Sequence, residues 1–358
     1  MKKLTLSEVH ENLGGKMIDF SGYYMPIQYS LGIKEEHKIV RESVGVFDVS
    51  HMGEIFISGK KSLEFLQFIT SNDVSNLSPG KVQYTCFPNN DGGIVDDFLL
   101  YMLEEDSYLL VVNASNIEKD LAWVNSKNTF NCLIDNQSDD YSILALQGPK
   151  SLELLQKLSK ENLSDIKYYN FIVTNVANID NVILSRTGYT GELGFELYVK
   201  NEYVKKLWEA LFSTTTHLEP IGLAARDTLR LEKGFCLYGN DINDFTSPIE
   251  AGLGWITKFN KIFINSENLK TQKEVGVNRK LVGIELIDKG IARRDCLIVD
   301  KDLNEIGVIT SGTMSPTLNK PIAMGYILSK HELLETYFYI KVRKKLLKAK
   351  VVALPFVK

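Results

Sequence analysis

Four short stretches of this chain combine residue types that could do chemistry. Asp96 and Asp97 interrupt an otherwise apolar run, with Ile94-Val95 before them and Phe98-Leu99-Leu100 after. Successive strand side chains point to opposite faces, so the two carboxylates cannot share one surface. At least one is expected in weakly solvated surroundings, where a carboxylate finds donors or changes its protonation. The plainer account is a strand-entry pair, one Asp solvated and the other capping backbone N–H groups. The second stretch, Arg186-Thr187-Gly188-Tyr189-Thr190-Gly191-Glu192-Leu193-Gly194-Phe195-Glu196, spaces its glycines three apart. That spacing permits a tight backbone and brings Tyr189 and Glu196 to the mouth of a hairpin, although an ornate turn would read the same way. In the third, Gly222 to Glu232, Arg226 and Arg230 stand four apart on one helical face, where solvation or pairing with Asp227 and Glu232 would be ordinary. The fourth, Phe47-Asp48-Val49-Ser50-His51-Met52-Gly53, holds a lone histidine between apolar runs, the usual place of a structural imidazole, and a Met of the kind that fills cores.

These residues need elements to hold them. Ser62 to Thr70 has helical spacing, with Leu63, Phe65, Leu66 and Ile69 apolar. From Val82 the texture turns to β: Tyr84 to Phe87, a turn at Pro88 to Gly93, a strand from Ile94 to Leu103, a polar Glu104 to Ser107 and a strand from Tyr108 to Asn113. With Glu104 to Ser107 as the turn, pairing back along the hairpin brings Asn113 within about one residue of opposing Asp97. Asn181 to Thr187 and Phe195 to Val199 form another hairpin, followed by helices over Glu202 to Phe212 and Ile221 to Lys233. Beyond Lys280 the pattern is short strands: Leu281 to Ile287, Cys296 to Val299, Gly307 to Ser311, Ile322 to Ile327 and Tyr337 to Val342. These suggest a small β-barrel or sandwich on an α+β body. The polar, lysine-rich Ser266 to Asn278 is the boundary candidate. It gives an α+β region over 1–270 and a C-terminal β-barrel over 279–358.

Composition narrows the function classes. At 358 residues and 44% hydrophobic, the chain can bury more than one core. Its 41 basic against 45 acidic residues leave a net charge of -4, so no global basic field invites nucleic acid or an anionic membrane. No apolar run approaches the ~20 residues that span a bilayer, and the start lacks a signal-peptide core. Cys86, Cys132, Cys236 and Cys296 are widely separated, which suits reduced thiols in a cytoplasmic protein and no metal site. The five histidines are scattered, and neither a dinucleotide fingerprint nor a Walker loop is present.

Taken as an ensemble, the motifs resemble the aminomethyltransferase family, the T-protein of the glycine cleavage system. They are Met17 to Pro26, Val44 to Glu54, Gly92 to Asp97, Arg186 to Glu196, Gly222 to Glu232, Cys236-Leu237-Tyr238-Gly239-Asn240-Asp241 and Thr310 to Leu318, in family order, with Pro355-Phe356-Val357 at the end. The resemblance implies a three-lobed cloverleaf of two α+β folate-binding lobes and a C-terminal β-barrel. It implies transfer of the one-carbon unit from an aminomethyl group on a lipoylated H-protein to tetrahydrofolate. Asp97 resembles the family's catalytic carboxylate, and Met52, Tyr84, Asn113, Tyr189, Glu196 and Arg226 resemble its folate-pocket positions.

The residue types suit that chemistry. A carboxylate such as Glu196 can accept the adjacent N–H and amino groups of a reduced pterin as a two-point hydrogen bond. Tyrosines offer flat apolar area with a polar tip. Asp97 would act electrostatically or as a general base, not by covalent attack, with Arg226 keeping it ionised or touching folate directly. Two alternatives share the fold: a folate-dependent demethylase, and a non-catalytic folate-binding accessory protein of RNA modification or iron–sulfur maintenance. The accessory branch carries Lys-Gly-Cys-Tyr-x-Gly-Gln-Glu, from which Lys233-Gly234-Phe235-Cys236-Leu237-Tyr238-Gly239 departs. The basic run Lys341 to Lys348 could meet an acidic carrier protein, although a solvated barrel surface is the favoured account.

Overall fold

The computed structural model describes residues 1–215 and 217–358. The chain divides into two compact units, one of 1–66, 74–84 and 98–227, the other of 67–73, 85–97 and 228–358. In the first unit a six-stranded sheet has the spatial order Phe171–Val176, Ile179–Ser185, Gly194–Lys200, Tyr141–Gln147, Gly45–Asp48, Glu219–Pro220. The two central strands run antiparallel with Leu144 opposite Leu197 and Gln147 opposite Gly194. Almost every residue of both is buried, as strands covered on two faces require. The helix Asn201–Ser213 follows at once and turns Val204, Leu207, Trp208 and Leu211, spaced three and four apart, into the same core as Leu144, Leu146, Leu197 and Val199.

A five-stranded sheet has the order Val82–Pro88, Ile94–Glu104, Ser107–Val112, Gly53–Ser58, Leu133–Asn136. Its hairpin turns at Glu105-Asp106, where Asp106 takes a left-handed φ of 60°, a conformation Asp tolerates better than most residues. Leu99 stands opposite Val111, the register expected from a turn at this place, and a bulge between Met102 and Glu104 takes up the odd residue.

In the second unit the C-terminal strands close into a six-stranded barrel, ordered Arg279–Leu286, Lys320–Leu328, Glu305–Ser315, Leu297–Val299, Tyr337–Val342, Lys345–Val352. The sequence suggested five of these strands. The sixth, Lys345–Val352, completes the closure, pairing Gly283 with Val352 and Leu286 with Ala349. Its alternation was present in the sequence: Leu347, Ala349 and Val351 are buried while Lys345 and Lys348 face solvent. The polar Ser266 to Asn278 segment is mostly a helix, Ser266–Val275, stopped by Gly276 at φ 98°.

Arg230 corrects the expectation of a solvated or locally paired cation. It is 1% exposed and bonds Asp241 at 2.7 Å, while Thr310 and Ser311 donate to the same carboxylate at 2.5 and 2.9 Å. Glu232 likewise serves the barrel, accepting from Ser315 and from the Thr317 hydroxyl and backbone N–H. The Cys236 to Asp241 and Thr310 to Leu318 motifs are thus joined by buried charges with their hydrogen bonds filled. Removing one member of such a pair strands the other, at a cost of about 3–5 kcal/mol. D241A should therefore lower unfolding stability by about that much. Urea denaturation of both proteins checks this, and a midpoint equal to the wild type would contradict it.

Candidate functional site

The residues 186–193 connect two strands of the six-stranded sheet, and the last ladder pair before the loop is Ser185 opposite Glu196. A wholly buried side chain, Gln147, fills the base of this loop. Its Nε2 donates to the Thr187 carbonyl at 3.2 Å, and its Oε1 accepts from Thr190 Oγ1 at 2.9 Å. A Cβ at Gly188 or at Gly194 would overlap that amide, which is why both positions carry none. Arg41 pins the outer side, its Nη1 donating to the Thr190 carbonyl at 2.7 Å and to Glu192 Oε1 at 2.9 Å. Between these anchors the loop presents Tyr189.

Arg226 meets Tyr189 from the helix Leu223–Glu232, with its guanidinium 4.7 Å from the ring centroid. The start of that helix is fixed by a second buried carboxylate. Glu36 accepts from the Gly222 N–H at 2.8 Å and the Tyr29 N–H at 2.6 Å. An acid at a helix N-terminus satisfies an otherwise orphaned donor and sits well in the helix dipole. Arg226 itself keeps an enclosed nitrogen, Nη1, without a hydrogen-bond partner. Such an orphaned donor fits an acceptor brought in by a ligand.

Glu196 is 8% exposed. Burial pushes its pKa up, and the Thr187 hydroxyl, the Arg226 charge and Tyr198 oppose that rise. Thr187 Oγ1 donates to Glu196 Oε2 at 2.5 Å. Behind it lie Ser185 Oγ at 2.9 Å from Thr187 Oγ1, Tyr101 Oη at 3.1 Å from Ser185 Oγ, and Tyr198 Oη at 2.8 Å from Tyr101 Oη. Tyr168 and Tyr169 act electrostatically with Glu196 as well, their rings edge to face at 4.7 Å. Tyr168 is 62% exposed, and Tyr169 holds a left-handed φ of 61°, a strained setting for an aromatic residue. Sequence reading missed this pair. The adjacent tyrosines were visible, but nothing local placed them beside Glu196.

Tyr189, Glu196 and Arg226 therefore come together. Met52 is half-buried and follows His51, which is 4% exposed and feels the Arg226 charge. Tyr84 and Asn113 are half-buried in the same unit, Tyr84 within Val82–Pro88 and Asn113 just past Ser107–Val112. Asp97 belongs to the other unit. It is half-buried beside a wholly buried Asp96, the alternation expected of a strand. Its entry turn is locked: Asn89 Oδ1 accepts from the Asp91 and Gly93 N–H groups, Asn89 Nδ2 donates to the Asp244 carbonyl, and Tyr238 Oη donates to the Ile94 carbonyl. Burial, with the fields of Asp97 and Asp96, pushes the Cys86 thiol up to about 12. Burial with Asp241 and Asp97 raises Cys236 too, so neither thiol is an ionised nucleophile. Among the described residues no three His, Cys, Asp or Glu side chains are grouped to hold a metal ion. No described helix is long and apolar enough to cross a membrane.

Comparison with known proteins places the whole chain. Residues 6–261 match the GCVT N-terminal domain, and residues 279–358 match the glycine cleavage T-protein C-terminal barrel domain. An aminomethyltransferase of Flavobacterium psychrophilum is 53% identical, with 100% of both chains covered. One of Bacteroides fragilis is 54% identical over 99% of each. Among solved structures, the glycine cleavage system aminomethyltransferase T of Bartonella henselae superposes with a TM-score of 0.94 at 34% identity, covering 99% of this chain and 98% of that one.

The electrostatics at His51 yield a titration test. Burial first, and the Arg226 charge second, lower its pKa from 6.5 to about 3. The unfolded imidazole protonates near 6.5 and the folded one does not, so falling pH favours unfolding. The stability His51 lends is whole above about pH 6.5 and declines by about 1.4 kcal/mol per pH unit below it. The His51 ring resonances should stay flat between about pH 8 and about pH 5 by NMR. A midpoint between about 6 and about 7 would contradict the assignment.

Proposed function

The chain belongs to the glycine cleavage T-protein family of aminomethyltransferases, and from that premise we propose that its donor is the aminomethyl group on the lipoyl arm of an H-protein and its acceptor tetrahydrofolate. The carbon leaves sulfur and ammonia and joins the two folate nitrogens, giving 5,10-methylenetetrahydrofolate and a dihydrolipoyl arm. The observation that carries this reading is the buried Glu196 between Thr187 and Arg226, with Tyr189 over the guanidinium.

Each residue is given a role that its chemical type suits. Glu196 accepts the paired donors of the pterin edge, because a carboxylate offers two parallel acceptors and burial makes each bond count for more. Arg226, with Nη1 unengaged by protein, supplies a donor and keeps Glu196 acidic enough to accept. Tyr189, Tyr84 and Met52 supply flat or adaptable apolar contact, and Asn113 an amide. Asp97 is the carboxylate that receives or balances a proton as the carbon–nitrogen bond to ammonia breaks. The four cysteines, none in a disulfide, suit a cytoplasmic setting.

Ammonia release from aminomethyl-loaded H-protein, measured with and without tetrahydrofolate, tests the activity itself. In that assay D97N should lose about 100-fold or more in kcat while its tetrahydrofolate affinity stays near the wild type. E196A should instead bind tetrahydrofolate more weakly by calorimetry. Equal turnover of D97N and wild type would remove Asp97 from the chemistry.

A further inference from the structure

The hydroxyl that donates to Glu196 belongs to a buried cluster of hydroxyls. An ionised carboxylate only accepts, and each hydroxyl carries one proton. Thr187 spends its proton on Glu196 Oε2. Thr187 Oγ1 also lies 2.9 Å from Ser185 Oγ and 3.3 Å from Tyr101 Oη, and Tyr101 Oη donates to Ser185 Oγ at 3.1 Å. Tyr101 Oη meets Tyr198 Oη at 2.8 Å, and Tyr198 also helps to hold Glu196 ionised. All four hydroxyls are buried, with Ser185 and Tyr101 at 0%, Tyr198 at 1% and Thr187 at 2% exposure, so water does not complete the cluster. Linked hydroxyls polarise one another, and this cluster reaches the carboxylate through the Thr187 proton.

We propose that Thr187 is a positioning residue for tetrahydrofolate binding, the donor that, within a buried cluster of Tyr198, Tyr101, Ser185 and Thr187 hydroxyls, holds Glu196 as an acceptor toward the pterin. The inference rests on the reading of Glu196 given above and adds the device that prepares it. A protonated Glu196 would give up one of its two acceptor oxygens and with it the two-point fit to the pterin. The groups facing Glu196 are Arg226 from its helix, Tyr198 from its own strand, Tyr101 from Ile94–Glu104, and Tyr168 and Tyr169 from the turn before Phe171–Val176. Burial raises all four tyrosines, so they stay neutral and Arg226 is the one charge. Glu54, 1% exposed, also acts electrostatically on Tyr198.

The test compares T187V, T187S, E196A and E54Q as full-length proteins, reading kcat and KM for tetrahydrofolate against pH. Loss of the donor leaves Glu196 easier to protonate, so T187V should raise KM about tenfold and move the acid limb of kcat/KM to higher pH. Its kcat at saturating tetrahydrofolate should stay within about threefold of wild type, as expected when only binding is lost. T187S restores the proton and should restore both values, and E54Q should leave the limb in place. A wild-type KM and limb in T187V, equal impairment of T187V and T187S, or loss of the limb in E54Q would overturn the inference. If E196A binds tetrahydrofolate normally, the pterin reading falls and this inference with it; if E196A is weakened and T187V is not, only this inference falls. Should T187V not fold, Y101F carries the test: a limb moved the same way supports the inference, and an unmoved limb overturns it.

Discussion

A carboxylate with 8% of its surface exposed cannot rely on water, so Glu196 depends on donors supplied by the protein. Thr187, Tyr198 and the Arg226 charge provide them, against a burial that works to neutralise the group. Much of the surrounding fold can be understood as keeping that arrangement in place. The strand Gly194–Lys200 holds Glu196 at the last ladder pair of its hairpin, and the apolar core behind it gives the strand no freedom to shift register. Gln147 occupies the space that two glycines vacate, so the loop carrying Tyr189 is built around an amide.

The same solution recurs at other buried charges. Glu36 is saturated by two backbone N–H groups and fixes the start of the helix bearing Arg226. In the other unit, Asp241 takes Arg230, Thr310 and Ser311, and Glu232 takes Ser315 and Thr317. Buried charges of this kind add little net stability over apolar replacements, but they penalise misplacement heavily. Arg226 Nη1 and both oxygens of the buried Glu54 differ, being enclosed without a protein hydrogen-bond partner.

Local signals were enough for most of the architecture. Alternation and turn chemistry located both hairpins, and the motif order implied the family to which the domain matches assign the chain. What escaped was decided by partners far away in sequence. Lys345–Val352 reads as a basic run until its alternate residues are seen closing a barrel. Arg230 has nearby acids at Asp227 and Glu232, yet its partner is Asp241 and its neighbours come from the barrel. Of the candidate site, Glu196 and Arg226 were picked out by the family motifs, since Arg226 on its own read as a solvated or locally paired cation. Tyr168, Tyr169 and the hydroxyl cluster were not, since serines, threonines and tyrosines occur on strands for many reasons and only tertiary pairing brings them together.

A structure of the protein with tetrahydrofolate bound tests the central claim most directly. The account requires the pterin N–H and amino groups to lie on the Glu196 carboxylate at about 2.7–3.2 Å, with Arg226 Nη1 engaged by the ligand. A pterin seated elsewhere, with Glu196 touching only protein and Arg226 Nη1 still unpartnered, would contradict it.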